Sequence, residues 1–233
     1  MMQVKESKQG VMAQLVLRGL VAPIMMAVLL MISAGRMDYW QGWVYMGLNM
    51  GLLLVNLWTV RRNPELVEER LKPGEGMKGW DKLYFALTTT LYFAHLIVAG
   101  LDVGRFGWTG DVPWSVYVGA IAIYLIGQAI FMWAKWVNRY FSSVVRIQAD
   151  RGQTVCRDGP YRYVRHPGYV GGLLYMLAGS LVLGSLWAFA LQALACMLLV
   201  VRTALEDRAL QAELPGYAEY VLKTRYRLLP GIW

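Results

Sequence analysis

Six apolar runs separated by polar loops constrain this chain more than any other feature of its sequence. They cover residues 11–34, 39–60, 83–101, 114–137, 168–184 and 186–204. Helices of about 20 apolar residues are long enough to cross a bilayer. Hydrophobic residues make up 57% of the chain and charged residues 16%, whereas soluble domains average about 25% charged residues. Because only helices and closed barrels satisfy their backbone hydrogen bonds in lipid, the sequence predicts an all-α, polytopic membrane protein.

The distribution of Lys and Arg predicts how these helices are oriented. Residues 61–82, residues 138–166 and the C-terminal tail carry most of the basic side chains, whereas the intervening loops contain only Arg36 and Arg105. Six spans place every basic segment on one side of the membrane together with both termini, and the positive-inside rule makes this side cytoplasmic. Five spans are the alternative, if the first helix or the last hairpin is re-entrant.

Two regions are expected within one integrated membrane domain. Residues 1–137 comprise four spans and the cytoplasmic loop 61–82, which is either a solvated connector or a lid over a cytoplasmic site. Residues 138–233 comprise a polar loop, a tight helical hairpin, a charged run that Pro215-Gly216 interrupts, and a C-terminal cytoplasmic helix. Short stretches of this polar loop, residues 141–148 and 154–156, have strand character.

The small residues and cysteines allow narrower predictions. Gly47 and Gly51 form a small-xxx-small pair, a pattern that favours the close approach of another helix. Cys156 and Cys196 lie near no His pattern of the zinc-binding type, so we expect no metal and no disulfide. The net charge of +8 accompanies apolar spans, which points to membrane lipids as partners rather than nucleic acid. The oligomeric state stays open.

Polar side chains concentrate at the start of the fifth span and at the end of the sixth. In a helical hairpin these two ends lie side by side, so we expect their side chains to meet at one cytoplasmic interface. The residues are Arg165, His166, Tyr169, Arg202, Glu206 and Asp207. Such a set suits a zwitterionic ligand with a carboxylate, an ammonium group and ribose hydroxyls. The alternative is that these groups only cap helices and form ion pairs.

The pattern Gly159-x-Tyr161-x-x-x-Arg165-His166-Pro167-x-Tyr169-x-Gly171, followed by Arg202-x-x-x-Glu206-Asp207, resembles the isoprenylcysteine carboxyl methyltransferase family over about residues 138–230. The resemblance implies an enzyme that binds S-adenosylmethionine in a cytoplasmic pocket built by the last helices and their loops. It implies that the cofactor-binding residues are Gln153, Arg165, His166, Pro167, Tyr169, Gly171, Glu206 and Asp207. It implies that the catalytic residues are Arg202 and Glu206. Gln153 stands where relatives often have His, and Asp207 stands where they usually have a second Glu.

Membership of this family implies transfer of a methyl group to a lipophilic acceptor. The acceptor would be a carboxylate of the prenylcysteine type, a lipid amine or a small thiol, and Arg202 would orient it if it is anionic. An in-line displacement depends mainly on alignment of the reacting groups, so we expect no strong acid–base residue.

Two other functions are alternatives to methyl transfer for this sequence. An NADPH-dependent sterol or lipid reductase shares the His-Pro-x-Tyr sequence, but such enzymes are longer and have Asn at the position of Gly168. A scaffold or small transporter needs polar residues at the centres of its spans, where this chain has little besides His95 and Gln128. His95 is either a functional group of the membrane interior or a hydrogen-bonding bridge between helices.

Overall fold

The computed structural model describes residues 19–21, 23–62 and 76–233. The polar N-terminal segment, the first part of the first predicted span and residues 63–75 lie outside the described residues. Most of loop 61–82, the predicted lid, therefore lies outside the described residues.

Helices form at each of the six predicted positions. They are α1 (Gly19–Ala34), α2 (Trp40–Arg62), α3 (Gly79–Gly100), α4 (Trp114–Val137), α5 (Pro167–Val182) and α6 (Leu186–Glu213), followed by the short α7 (Tyr217–Lys223). A π-helical segment, Leu101–Phe106, continues α3, and 3-10 turns form at Ala149–Arg151 and Gly159–Arg162. The all-α prediction is confirmed.

Three of the helices are long and apolar enough to cross a membrane: Gly79–Phe106, Trp114–Val137 and Leu186–Glu213. The helices Gly19–Ala34 and Pro167–Val182 are apolar but shorter. Large apolar side chains face outward along the bundle, including Ile32, Leu54, Val118 and Met197, each at least half exposed. An outer surface of this kind is suited to lipid, so the molecule is an integral membrane protein.

The charged run after residue 204 is not a separate element. Helix α6 continues without interruption to Glu213 and ends just before Pro215. The run is rich in Ala, Leu, Glu, Arg and Gln, which are good helix formers, and proline is the first residue that cannot continue the helix. The chain then turns at Gly216, whose φ is +79°, and enters α7.

The predicted strand character of residues 141–148 and 154–156 was wrong. The part of the chain that the structure describes contains no β-strand. These stretches are held by side chains instead, because no neighbouring strand offers a ladder of hydrogen bonds. Gln148 donates through Nε2 to the carbonyl of Tyr140 (2.8 Å), and Gln153 accepts from the backbone N–H of Gln148 (2.7 Å).

The close helix approach occurs at glycines other than those predicted. Among the described residues, and apart from the local backbone of α2, no heavy atom lies within 4 Å of a Cβ built at Gly47 or Gly51. A Cβ at Gly171 of α5 would lie 2.5 Å from the carbonyl oxygen of Gly127 in α4. This backbone contact brings α4 and α5 together along their length, which places the start of α5 beside the polar segment that follows α4.

Candidate functional site

A cleft opens where the polar segment 138–156 packs across the first turn of α5, the last turns of α6, and α7. About 800 Å³ of open space lies within it when the solvent at its mouth is included. The predicted meeting of the start of α5 with the end of α6 is what the structure shows. The cleft is lined from those helices by Arg165, His166, Gly168, Tyr169, Glu206 and Leu210.

Asp207 lies behind the wall of this cleft and holds it together. Its carboxylate is fully buried and accepts from Arg165 (2.7 and 3.0 Å) and from Nε of Arg227 (2.8 Å). It also accepts from the hydroxyl of Tyr217 (3.0 Å) and from Nε2 of Gln211 (2.9 Å). The charge of this carboxylate is therefore matched by two guanidinium groups and its oxygens are occupied by protein donors.

The C-terminal tail packs against the first turn of α5. Backbone N–H groups of Arg165 and His166 donate to the carbonyls of Tyr226 and Arg227, at 2.9 and 3.0 Å. The Arg165 guanidinium also donates to the carbonyls of Thr224 and Arg225. The imidazole of His166 stacks on the ring of Tyr169, with centroids 5.5 Å apart. The tail thus fixes both residues at the start of the helix.

A second polar chain runs through the wall to Glu206. The hydroxyl of Tyr169 donates to Oε2 of Glu206, and Arg202 donates through Nη1 to the same hydroxyl. Arg202 is itself paired with Asp81, at 2.7 Å between its Nε and the Asp81 Oδ1. Glu206 lines the cleft, whereas Arg202 does not. The arrangement leaves one carboxylate at the cleft wall, held in place from behind.

The opposite wall is supplied by the irregular segment and by α7. Aromatic side chains contribute much of it, from Tyr140, Phe141, Tyr161, Tyr217 and Tyr220. Burial raises the pKa of Tyr161 and of Tyr217 above the usual range of a phenol. Both side chains are therefore neutral at physiological pH, and that of Tyr217 acts as a donor to Asp207.

The predicted site residues divide into two groups by position. Gln153, Arg165, His166, Tyr169 and Glu206 line the cleft. The remaining four, Pro167, Gly171, Arg202 and Asp207, are placed around it. Pro167 begins α5, Gly171 forms the contact with α4, and Arg202 and Asp207 make the buried ion pairs described above.

The sequence did not lead us to Asp81 as a residue of the site, or to the contact of Arg227 with Asp207. Asp81 lies in the first turn of α3 and is fully buried. In the sequence it belongs to loop 61–82, of which only the basic side chains were interpreted. A carboxylate immediately before an apolar span, on the same predicted side as Arg202, was the available indication of an ion pair. Arg227 lies in the basic C-terminal tail, and only the fold of this tail brings it to Asp207.

His95 and Gln128 lie away from the cleft. His95 is 1% exposed and packs against Tyr45 and Tyr92, with centroids about 6 Å away. In the described part of the chain neither of its ring nitrogens has a hydrogen-bond partner, and the same holds for Nε2 of Gln128. The predicted hydrogen-bonding bridge through His95 is thus absent from the described contacts.

Across residues 19–62 and 76–233, apart from residue 22, no group of three or more His, Cys, Asp or Glu side chains is placed to hold a metal ion. The acidic side chains near the cleft are instead engaged with arginine and tyrosine.

Fold and cleft together define an all-helical integral membrane protein with a polar site at one end of the bundle. Residues 120–212 match the Isoprenylcysteine carboxyl methyltransferase (ICMT) family, which confirms the resemblance over that stretch. This family is one of methyltransferases. The matched stretch includes α5, nearly all of α6 and the polar segment that lines the cleft.

A curated relative is similar over part of its length. The chain is 40% identical over 135 residues to the cobalt-zinc-cadmium resistance protein CzcN of Cupriavidus metallidurans. The alignment covers 55% of this chain and 56% of that protein. The chain therefore spans little more than half of the relative that it matches.

Proposed function

We propose that this protein is an S-adenosylmethionine-dependent methyltransferase of the membrane, with its cofactor in the cleft and a lipophilic acceptor. The observation that carries the proposal is the cleft itself. Five residues that the family pattern assigns to the cofactor come from three separate segments and line one cavity: Gln153, Arg165, His166, Tyr169 and Glu206.

The chemistry of the cleft wall fits the parts of S-adenosylmethionine. The Glu206 carboxylate suits the ammonium group or the ribose hydroxyls. The rings of Tyr140 and Phe141 offer flat apolar faces to an adenine and a π surface to a sulfonium cation. The start of α5, with Gly168 at the wall, presents a helix N-terminus to a carboxylate.

The residues of the chain would act by binding and alignment. When bound, S-adenosylmethionine supplies a methyl group that is already activated by the positive sulfur. Tyr169 holds Glu206 at the wall, and Asp207 holds Arg165 from behind it, so the cleft is shaped before a ligand arrives. Alignment of this kind lowers the entropic part of the barrier and requires no general base for a carboxylate or thiolate acceptor.

Roles for the residues outside the cleft follow from their contacts. Arg202 forms an ion pair with Asp81, and its Nη1 donates a hydrogen bond to the hydroxyl of Tyr169. We assign Arg202 and Asp207 to positioning of the cleft wall, and Pro167 and Gly171 to placement of α5. The proposed acceptor is one of the three types that the family resemblance implies: a prenylcysteine carboxylate, a lipid amine or a small thiol.

We place the cleft on the cytoplasmic side. Arg61 and Arg62 end α2, Lys78 precedes α3, and Lys135 lies in the last turn of α4, all at the same end of the bundle as the cleft. The other end has Arg36 and Arg105. The positive-inside rule supports this orientation.

The test is calorimetric titration of the detergent-purified protein with S-adenosylhomocysteine and, separately, with NADPH. We expect the first to bind, and we expect Glu206→Gln to weaken it about tenfold or more, since a hydrogen bond to a charged group contributes a factor of this size. Glu213→Gln is the matched control, because Glu213 lies on the same helix outside the cleft and pairs with Lys78.

Three results would count against the proposal. Binding of NADPH in place of S-adenosylhomocysteine would favour the reductase. Binding of neither compound would contradict S-adenosylmethionine as the cofactor. An equal loss of affinity in Glu206→Gln and Glu213→Gln would show that the cleft is not where the ligand binds.

A further inference from the structure

We infer that Asp81 is a positioning residue of the methyl-transfer site, acting through Arg202 to hold Glu206 and one wall of the cleft. The inference rests on the proposed function of the cleft. Asp81 lies in the first turn of α3, far in sequence from the region that carries the family pattern. It therefore ties the N-terminal half of the chain to the site.

Asp81 makes three contacts although none of its surface is exposed. Oδ1 accepts from Nε of Arg202 at 2.7 Å, and Oδ2 accepts from Nη2 of Arg202 at 3.3 Å. Oδ2 also accepts from the backbone N–H of Val145 at 2.7 Å. Val145 lines the cleft, so one carboxylate holds both a buried guanidinium and a piece of the cleft wall.

Arg202 passes this constraint to the cleft by two routes. Its Nη2 donates to the carbonyl of Ser143 at 3.0 Å, which fixes the same wall segment a second time. Its Nη1 donates to the hydroxyl of Tyr169, which in turn donates to Glu206. The guanidinium also lies over the rings of Tyr84, Phe85 and Tyr169, about 5 Å from each centroid. The aromatic rings therefore fix the plane of the guanidinium, and the hydrogen bonds fix its N–H groups.

The charge pattern explains why a carboxylate is needed at residue 81. A guanidinium buried without a counter-charge would draw the Glu206 carboxylate inward, away from the cleft, since it is the next anion along the chain of contacts. With Asp81 in place Arg202 is already neutralised, and Glu206 needs only a hydrogen bond from Tyr169. Asp81 thus leaves Glu206 available to a ligand.

A second ion pair between the same helices supplies a control. Lys78, just before α3, pairs with Glu213 near the end of α6 at 2.6 Å, and both side chains are partly exposed. Neither residue lines the cleft. Loss of this pair loosens the same helix contact without touching Arg202, Val145 or Glu206.

The experiment compares Asp81→Asn, the double variant Asp81→Asn/Arg202→Gln, and Glu213→Gln. One arm measures hydrogen exchange of the ligand-free protein over residues 142–146. The other measures the affinity for S-adenosylhomocysteine. We expect Asp81→Asn to speed exchange over residues 142–146 and to weaken binding about tenfold, the size of one hydrogen bond to a charged group. Glu213→Gln should change neither.

The double variant separates folding from positioning. It removes both buried charges, so it should fold even if the single variant, with its unpaired Arg202, does not. We expect it to bind as weakly as Asp81→Asn. Wild-type affinity in the double variant would show that binding does not need Arg202 to hold Glu206 and the wall segment, which would overturn the inference.

The two arms also separate this inference from the proposed function. If the wild-type protein does not bind S-adenosylhomocysteine, the proposed function fails, and the exchange data still test the positioning. Unchanged exchange over residues 142–146 in Asp81→Asn, or an equal effect of Glu213→Gln in both arms, would refute the role of Asp81.

Discussion

The two ends of the helical bundle bury carboxylates in different ways. At the end opposite the cleft, Asp102 is fully buried and accepts from the backbone N–H of Thr109 at 2.8 Å and from the hydroxyls of Thr109 and Ser185. Ser185 also caps α6 through the N–H of Ala188. Asp102 thereby fastens the loop after α3 to the turn between α5 and α6.

At the cleft end each buried carboxylate of the described residues faces arginine. Asp207 binds Arg165 and Arg227, and Asp81 binds Arg202. In addition, Glu206 stands at the wall of an open cavity. Burial of a carboxylate is therefore no indication of chemistry by itself, since Asp102 serves the fold alone. The indication is a carboxylate that buried partners hold at the edge of a cavity.

The largest effect is expected from Asp207→Asn. This variant leaves Arg165 and Arg227 without their counter-charge, and breaking a buried ion pair costs about 3–5 kcal/mol. Thermal unfolding in detergent should show a marked loss of stability, and binding of S-adenosylhomocysteine should fall with it. Asp38→Asn is the control, because the Arg36–Asp38 pair is exposed; an equal loss there would mean that the assay does not resolve buried from exposed pairs.

A smaller loss is expected from Asp102→Ala. The variant leaves the N–H and hydroxyl of Thr109 and the hydroxyl of Ser185 without their acceptor, which costs about 2–3 kcal/mol. Stability should therefore fall, while the folded fraction should bind S-adenosylhomocysteine with wild-type affinity. A loss of affinity would contradict the division between the two ends.

The smallest effect concerns the thiol of Cys156, which lines the cleft. Burial raises its pKa, so at pH 8 a smaller fraction is thiolate than in an exposed cysteine. Alkylation should be slow, should accelerate as the pH rises, and should slow further with S-adenosylhomocysteine bound. The control is Leu186→Cys, at an exposed position of the opposite end, where the thiol should react without such protection. Protection at both positions would contradict a ligand confined to the cleft.

Much of this architecture could be predicted from the pattern of residues. The span of α4 was predicted with the bounds that the structure has, because its apolar run is limited by Pro113 and by polar residues after Val137. The meeting of Tyr169 with Glu206 followed from the geometry of a hairpin joined by a short turn, which has three residues between Val182 and Leu186. Strand character at residues 141–148 was misleading, since an extended stretch becomes a strand only beside another one.

The contacts of arginine could not be predicted in the same way. Arg202 is separated from Asp81 by 121 positions, and Arg227 reaches Asp207 only because the tail folds back over α5. Nor could the spacing of small residues distinguish Gly127 and Gly171, where backbones touch, from Gly47 and Gly51, where no contact of this kind is found among the described residues. Gly47 and Gly51 have the four-residue spacing of a close-packing pair, whereas Gly127 and Gly171 belong to different helices, so the contact depends on which helix is the neighbour.

The sequence by itself determined that the chain is a bundle of membrane helices with a polar cluster at one end, because hydropathy and local spacing act over a few turns of one helix. The tertiary structure decided which of the clustered charges face the cleft and which are neutralised behind it. The reason is physical: a buried charge must find a partner, and the partner it finds depends on which helix ends the fold brings together.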